Sequence, residues 1–247
     1  MTSPIPGRLD VRQVASAVVL PILLTAAFTY AVLLAGQPLG VVLAVLIVYL
    51  WRRFTHRPWA GVGLPMAWSA IPHLLLGVGV TVAAVLAANA ASVALGAATW
   101  VPWEPEDLVF LPLVIVVIIL VQALPEELLW RGHLYDVLAE RLSPGVVLAL
   151  TSVAFGVLHV FSQSEARGAV EVALYAVGAA ALGFACAASR VRTGAIWMAV
   201  GMHSGIYFAN GFFPTEGIVY GVQLLAQFVA MALAGLLVLY RPGSRNR

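Results

Sequence analysis

Leu108 to Leu124 reads LVFLPLVIVVIILVQAL, with no charged side chain in it. A helix needs about 20 apolar residues to cross about 30 Å of hydrocarbon, so this run is close to a membrane span on its own. The residues that follow break the pattern. Pro125-Glu126-Glu127-Leu128-Leu129-Trp130-Arg131-Gly132 sets two carboxylates and a guanidinium among apolar neighbours. An ionisable group in hydrocarbon costs roughly 2.5–3.5 kcal/mol on insertion scales, so the default reading of such residues is functional.

Working outward, the rest of the chain has the same character. Its 247 residues are 62% hydrophobic and 10% charged, against about 25% charged in an average soluble domain, and so cannot clothe a particle in water. No long alternation of apolar and polar residues suggests an outer-membrane barrel, which leaves a helical bundle. Apolar runs at 14–35, 39–51, 67–98, 108–124, 146–161, 170–188, 195–213 and 217–240 predict an all-α polytopic membrane protein, about eight helices in one bundle. The second run is short and would be extended by tilt, by Gln37-Pro38, or by snorkelling of Arg52 and Arg53. The first is too long for a signal-peptide core and reads as retained.

Alternate threading of these runs puts 12 of the 13 arginines on one side and Arg167 alone on the other. By the positive-inside rule the crowded side is cytoplasmic, with both termini there. The expected organisation is a cytoplasmic segment 1–13, one transmembrane domain 14–240 and a cytoplasmic tail 241–247. Glu104, Glu106 and Asp107 form an acidic outer loop. Cys186 stands alone and can form no intramolecular disulfide. A net charge of +2 gives no reason to expect nucleic acid as a partner. The composition, without lysine and rich in Ala, Arg, Gly and Val, points to a bacterial plasma membrane.

Three clusters carry the chemistry. In the first, Glu127 and Arg131 are spaced for a same-face ion pair with the acid N-terminal. Glu126, about 100° round the helix, is left free to face a cavity. Pro125 suits the first turn of a new helical segment, whose dipole would favour the two acids. In the second, Phe155 and His159 share a face, so the ring can pack beneath the imidazole. In the third, Gly201 and Gly205 allow a neighbouring backbone to approach His203. Tyr207 and Asn210 follow near the same face. Each cluster has a blander reading: interfacial glutamates paired with arginine, an interhelical hydrogen-bonding histidine, a glycine packing seam. His56, His73 and His133 are expected to be non-catalytic, with His133 near the interface.

A carboxylate and two imidazoles on three spans can activate water in two ways. Glu126, His159 and His203 could ligate a divalent metal such as zinc and leave a position for water. Alternatively Glu126 could act as general base, with His159 sharing the proton and His203 donating to the oxyanion. Either route leads to hydrolysis. No H-E-x-x-H helix, G-x-S-x-G turn or G-x-G-D partner for Tyr135-Asp136 competes with this set.

Glu126-Glu127-x-x-x-Arg131, Phe155-x-x-x-His159 and His203 resemble the E-E-x-x-x-R, F-x-x-x-H and H-x-x-x-N motifs of the CAAX prenyl endopeptidase and bacteriocin-processing (CPBP, or Abi) family of intramembrane proteases. The resemblance spans 125–210 and departs at Tyr207, where the pattern has Asn. It implies an endopeptidase in which Glu126 and His159 activate water, Glu127 and Arg131 support them, and His203 stabilises the oxyanion. Phe155, Tyr207 and Asn210 have lesser supporting roles. It also implies a peptide or membrane-protein substrate, lipidated or not, and leaves metalloprotease and metal-free glutamate mechanisms both open. A proton- or ion-coupled transporter and a non-catalytic scaffold or immunity protein are the rival readings.

The depths do not match at once. Glu126 lies about 27 Å along a helix entered at Leu108, and His159 about 20 Å from the start of its own span at the other face. Their meeting requires tilt, a bend at Pro125, or a segment from Glu126 to Leu142 that turns back along the interface, with a cavity open to the cytoplasm.

Overall fold

A computed structural model describes residues 14–36, 39–102, 110–162 and 164–240. The expected cytoplasmic segments 1–13 and 241–247 and the acidic loop at Glu104, Glu106 and Asp107 lie outside the described residues. Among the described residues there are eight long helices: α1 (Ala15–Ala35), α2 (Leu39–Thr55), α3 (Ala70–Ala94), α4 (Leu111–Ala139), α5 (Pro144–Phe161), α6 (Gly168–Thr193), α7 (Trp197–Phe212) and α8 (Tyr220–Leu239). Six are long and apolar enough to cross a membrane; α2 and α7 fall short in length. A two-residue antiparallel strand pair, β1 (Thr99–Trp100) with β2 (Thr215–Glu216), ties the end of α3 to the start of α8.

The exterior is apolar. Leu34, Met66, Trp68 and Leu237 stand well exposed. The interior holds Thr29, Thr81, Asn89, Glu127 and Arg131, all essentially inaccessible. Large apolar side chains facing out and polar ones facing in suit a bilayer as solvent, where the outer surface need only match lipid tails. The protein is a multi-pass integral membrane protein.

The decisive element is α4. The expected span ending at Leu124 instead continues as one helix through Ala139. Pro125 lies inside it and does not open a new segment. A proline in a helix interior lacks the N–H for the carbonyl one turn back and crowds it. Here the turn before it is widened: residues 118–123 are π-helical, with the Leu124 N–H bonded to the Ile119 carbonyl five residues back. A second π segment, Leu128–Leu134, follows the two glutamates. Insertions of this kind are frequent at functional sites. Because Glu126 and Glu127 are not at a helix N-terminus, their charges must be met by side chains.

Continuity of α4 removes the mismatch in depth without an interfacial return segment. Ser143 and Pro144 start α5 after a short turn, with Pro144 in the first helical turn where its missing N–H is harmless. Measured from that turn, Glu126 is about 20 Å up α4 and His159 about 22 Å up α5. The two arms of an antiparallel hairpin thus deliver both residues to one level.

One end of the bundle collects arginine. Asp136, near the end of α4, bonds Arg52 of α2 at 3.0 Å and Arg57 of the following loop at 3.0 Å. Arg190 of α6 reaches the carbonyls of Gly61 at 2.9 Å and Arg131 at 3.1 Å, as well as that of Gly194. Gly194 closes α6 in the left-handed region (φ 69°), a conformation that suits a residue without Cβ. Arg192 holds the carbonyls of Val238 and Tyr240 at 2.9 and 3.0 Å, which brings the end of α8 to the same level. Two sequence expectations change here. Arg52 does not snorkel but is 2% exposed and buried against Asp136. Arg131, counted with the cytoplasmic arginines, is fully enclosed by the bundle.

Candidate active site

Helix α7 is placed by the close backbone approach that its glycines suggested. A Cβ on Gly205 would fall 2.8 Å from Thr81 Cβ and 3.0 Å from the Val78 carbonyl oxygen of α3, and one on Gly201 would strike the Leu74 backbone. Only glycine permits that separation. The seam turns His203, 3% exposed, toward α4.

There His203 Nδ1 donates to Glu127 Oε1 at 2.8 Å, and Arg131 Nη1 donates to the same oxygen at 3.2 Å. Arg131 Nη2 also donates to the Gly183 carbonyl at 2.8 Å, and its guanidinium lies over the Phe155 ring, 4.6 Å from the centroid. A Cβ at Gly183 would come 3.0 Å from Arg131 Nη2 and 3.2 Å from Phe155. Glu127 is therefore a structural hub that joins α4 to α7, while Arg131 extends the tie to α6.

Phe155 is fully buried and central to a ring cluster. It stands edge-on to Trp130 at 5.4 Å, lies 4.5 Å from the His159 ring and is T-shaped to His203 at 6.1 Å. Through it the two histidines are held relative to one another. His159 ends the regular part of α5 and begins a 3-10 turn. Its Nδ1 bonds the Phe155 carbonyl at 2.7 Å. A carbonyl can only accept, so Nδ1 carries the hydrogen, and in the neutral ring the lone pair sits on Nε2.

Glu126, 7% exposed, receives a hydrogen bond from Gln122 Nε2 at 3.1 Å. The same nitrogen donates to the Tyr207 hydroxyl oxygen at 3.2 Å. Tyr207 stacks on His203, with ring centroids 5.8 Å apart and an interplanar angle of 14°. Because its oxygen accepts from Gln122, its own hydrogen is available to another acceptor. Asn210 stands apart from this group: its amide donates to the Ile206 carbonyl at 3.0 Å, and its oxygen accepts from Gln227 at 3.1 Å.

Two adjoining cavities meet at these residues. The smaller, about 170 Å³, is bordered by Glu126, Gln122, His159, Tyr30 and Tyr207. The larger, about 600 Å³, is bordered by His159, His203, Tyr207 and Asn210 on one side and by Gln223 and Gln227 on the other. His159, Tyr175 and Tyr207 belong to both. Glu126 and His159 thus border one cavity and His159 and His203 the adjoining one, while Phe155, Glu127 and Arg131 stand behind them.

Gln122, Tyr175 and Tyr30 were not singled out from sequence. Gln122 carried a readable signal, since it precedes Glu126 by one helical turn. Tyr30 carried none: its hydroxyl donates to the Leu158 carbonyl across the bundle at 3.2 Å. His133 is not interfacial but buried, edge-on to Trp51 at 5.1 Å. Asp136, set aside as half of an aspartyl pair, is the ion-pair partner of Arg52 and Arg57.

Among the described residues, no group of three or more His, Cys, Asp or Glu side chains is placed to hold a metal ion. Glu126, His159 and His203 are not gathered as a ligand set in this arrangement.

The fold and the polar cluster define a class: polytopic membrane proteins with a buried carboxylate–imidazole site. Residues 108–209 match the family model described as type II CAAX prenyl endopeptidase Rce1-like. The matched segment runs from α4 to α7 and includes all three motifs. Comparisons with curated proteins and with solved structures gave no match.

Proposed function

We propose that the protein is an intramembrane endopeptidase of the glutamate type. The observation that carries this reading is the shared cavity wall, where the Glu126 carboxylate and His159, with its free Nε2 lone pair, border the same space. Glu126 takes a proton from water as the oxygen adds to the scissile carbonyl carbon, and His159 Nε2 accepts a hydrogen bond from the same water. The proton then passes to the leaving amine as the C–N bond breaks. Acid–base help of this kind contributes about 10²–10⁴-fold.

Charge that develops on the carbonyl oxygen needs donors already in place. Tyr207 has a hydroxyl hydrogen to give, and its ring is held against His203. His203 donates through Nδ1 to Glu127, so its Nε2 can donate to an oxyanion only when the ring carries both hydrogens. Glu127 and Arg131 position His203 and do not touch the substrate. A protein or peptide segment in or beside the bilayer is the substrate.

The test is cleavage of reporter peptides by protein reconstituted in liposomes. Glu126→Gln keeps the shape and a Gln122 contact but cannot accept the proton; loss of cleavage with an unchanged unfolding profile is expected. Retained cleavage would refute the base assignment.

A further inference from the structure

The two cavities that border the site and most of the arginines lie toward opposite ends of the bundle. Toward the arginine end the site has a solid floor: Trp130, Arg131, Leu134 and Leu138 of α4, with Ile196 and Val200, are fully buried. Toward the other end the space continues. The larger cavity is bordered by Pro214, Thr215, Ile218 and Tyr220, beside the β1–β2 pair, and the smaller by Leu33 and Ser162.

Among the described residues, Arg52, Arg53, Arg57, Arg141, Arg190 and Arg192 lie at or next to the floor end, and Arg167 at the cavity end. Even without Arg131, arginine sorts in the way that marks a cytoplasmic face. From these two placements we infer that the site is entered from the non-cytoplasmic side, and that its substrate is a peptide segment exposed on that face. This differs from the expected mouth toward the cytoplasm, which assumed a span ending at Leu124.

The lining supports a polypeptide in extended form. Most of it is apolar, but one wall carries a linked row of amides. Gln223 and Gln227 both donate to Asn89 Oδ1 at 3.3 Å, Gln227 donates to Asn210 at 3.1 Å, and Gln223 donates to Thr215 at 3.0 Å. Carboxamides offer donors and acceptors together, the pairing a peptide backbone requires. The row contains no charge to select acidic or basic residues.

This inference rests on the peptidase reading, and the experiment separates the two. Single cysteines are placed at Ile218, at the cavity mouth, and at Arg53, at the floor end, in a Cys186→Ala background. A membrane-impermeant sulfonated maleimide is applied to intact cells and to permeabilised cells. Ile218→Cys is expected to label in intact cells and Arg53→Cys only after permeabilisation; Val219→Cys serves as a second mouth position should Ile218→Cys accumulate poorly. The reverse pattern overturns the orientation while leaving the peptidase reading intact. In parallel, a reporter peptide anchored on the outer face is expected to be cut in a Glu126-dependent manner, and the same peptide held in the cytoplasm is not. Cleavage only of the cytoplasmic reporter also overturns the inference. Cleavage of neither reporter refutes the peptidase reading, and equal cleavage by Glu126→Gln refutes the base assignment, whatever the labelling shows.

Discussion

Replacing Arg131 with methionine tests whether the Glu127 hub holds the bundle together. Arg131 and Glu127 are both 0% exposed, and the guanidinium serves Glu127 Oε1, the Gly183 carbonyl and the face of Phe155 together. Methionine retains much of the side-chain volume, so the chief loss is electrostatic. Stranding one member of a buried pair costs about 3–5 kcal/mol, since the survivor keeps its desolvation penalty without its partner. Glu127 would be left with His203, at 2.8 Å, and the Cys186 thiol as its partners. Adding Glu127→Gln to Arg131→Met removes the stranded charge. The double variant is therefore expected to be more stable than the sum of the single effects predicts, by about 1–3 kcal/mol. Equilibrium unfolding in lipid bicelles, followed by tryptophan fluorescence, reads the cycle, since Trp130 lies next to the pair in the chain. An Arg131→Met loss below about 1 kcal/mol, the range of an exposed pair, would refute the reasoning, as would strict additivity.

Further outcomes follow from the same contacts. Tyr207→Phe removes the hydroxyl hydrogen and keeps the stack on His203, so kcat for peptide cleavage should fall by about 10-fold or more with stability little changed; unaltered kcat would remove Tyr207 from the oxyanion role. Gly205→Ala forces a Cβ against Thr81 and the Val78 carbonyl and should cost about 1–3 kcal/mol. Gly211→Ala, with nothing within 4 Å of the added Cβ, should not destabilise the same helix. A divalent chelator should leave cleavage by purified protein intact if the glutamate route operates, and loss of activity restored by zinc would argue for the metal route. Asp136→Asn weakens the ties to Arg52 and Arg57, and because it lies below the site floor it should lower the unfolding midpoint more than it lowers turnover.

Much of the site was legible because its chemistry is local in the chain. Glu127 and Arg131 pair one turn apart, Phe155 underlies His159 one turn on, and Gly201 and Gly205 flank His203. Helical periodicity alone carries those relations. The misreadings concerned length and depth. Charged residues after Leu124 looked like the end of a span, yet their partners lie inside the bundle, so the helix continues to Ala139 with residues 125–134 buried among its neighbours. His133 and Arg52 were misplaced for the same reason: the groups that bury them, Trp51 and Asp136, come from distant parts of the chain.

Composition and periodicity by themselves determined that this chain is a bundle of apolar helices in a membrane, because hydrocarbon admits few polar groups and marks those it keeps. The tertiary structure alone decided that Glu126 and His159 stand at one height, that His203 turns to Glu127 while Tyr207 turns to Gln122, and that the space they border runs away from the arginines. Those facts depend on where the α4–α5 hairpin turns and how closely α7 approaches α3. Both are set by contacts between residues far apart in the chain, which no local pattern encodes.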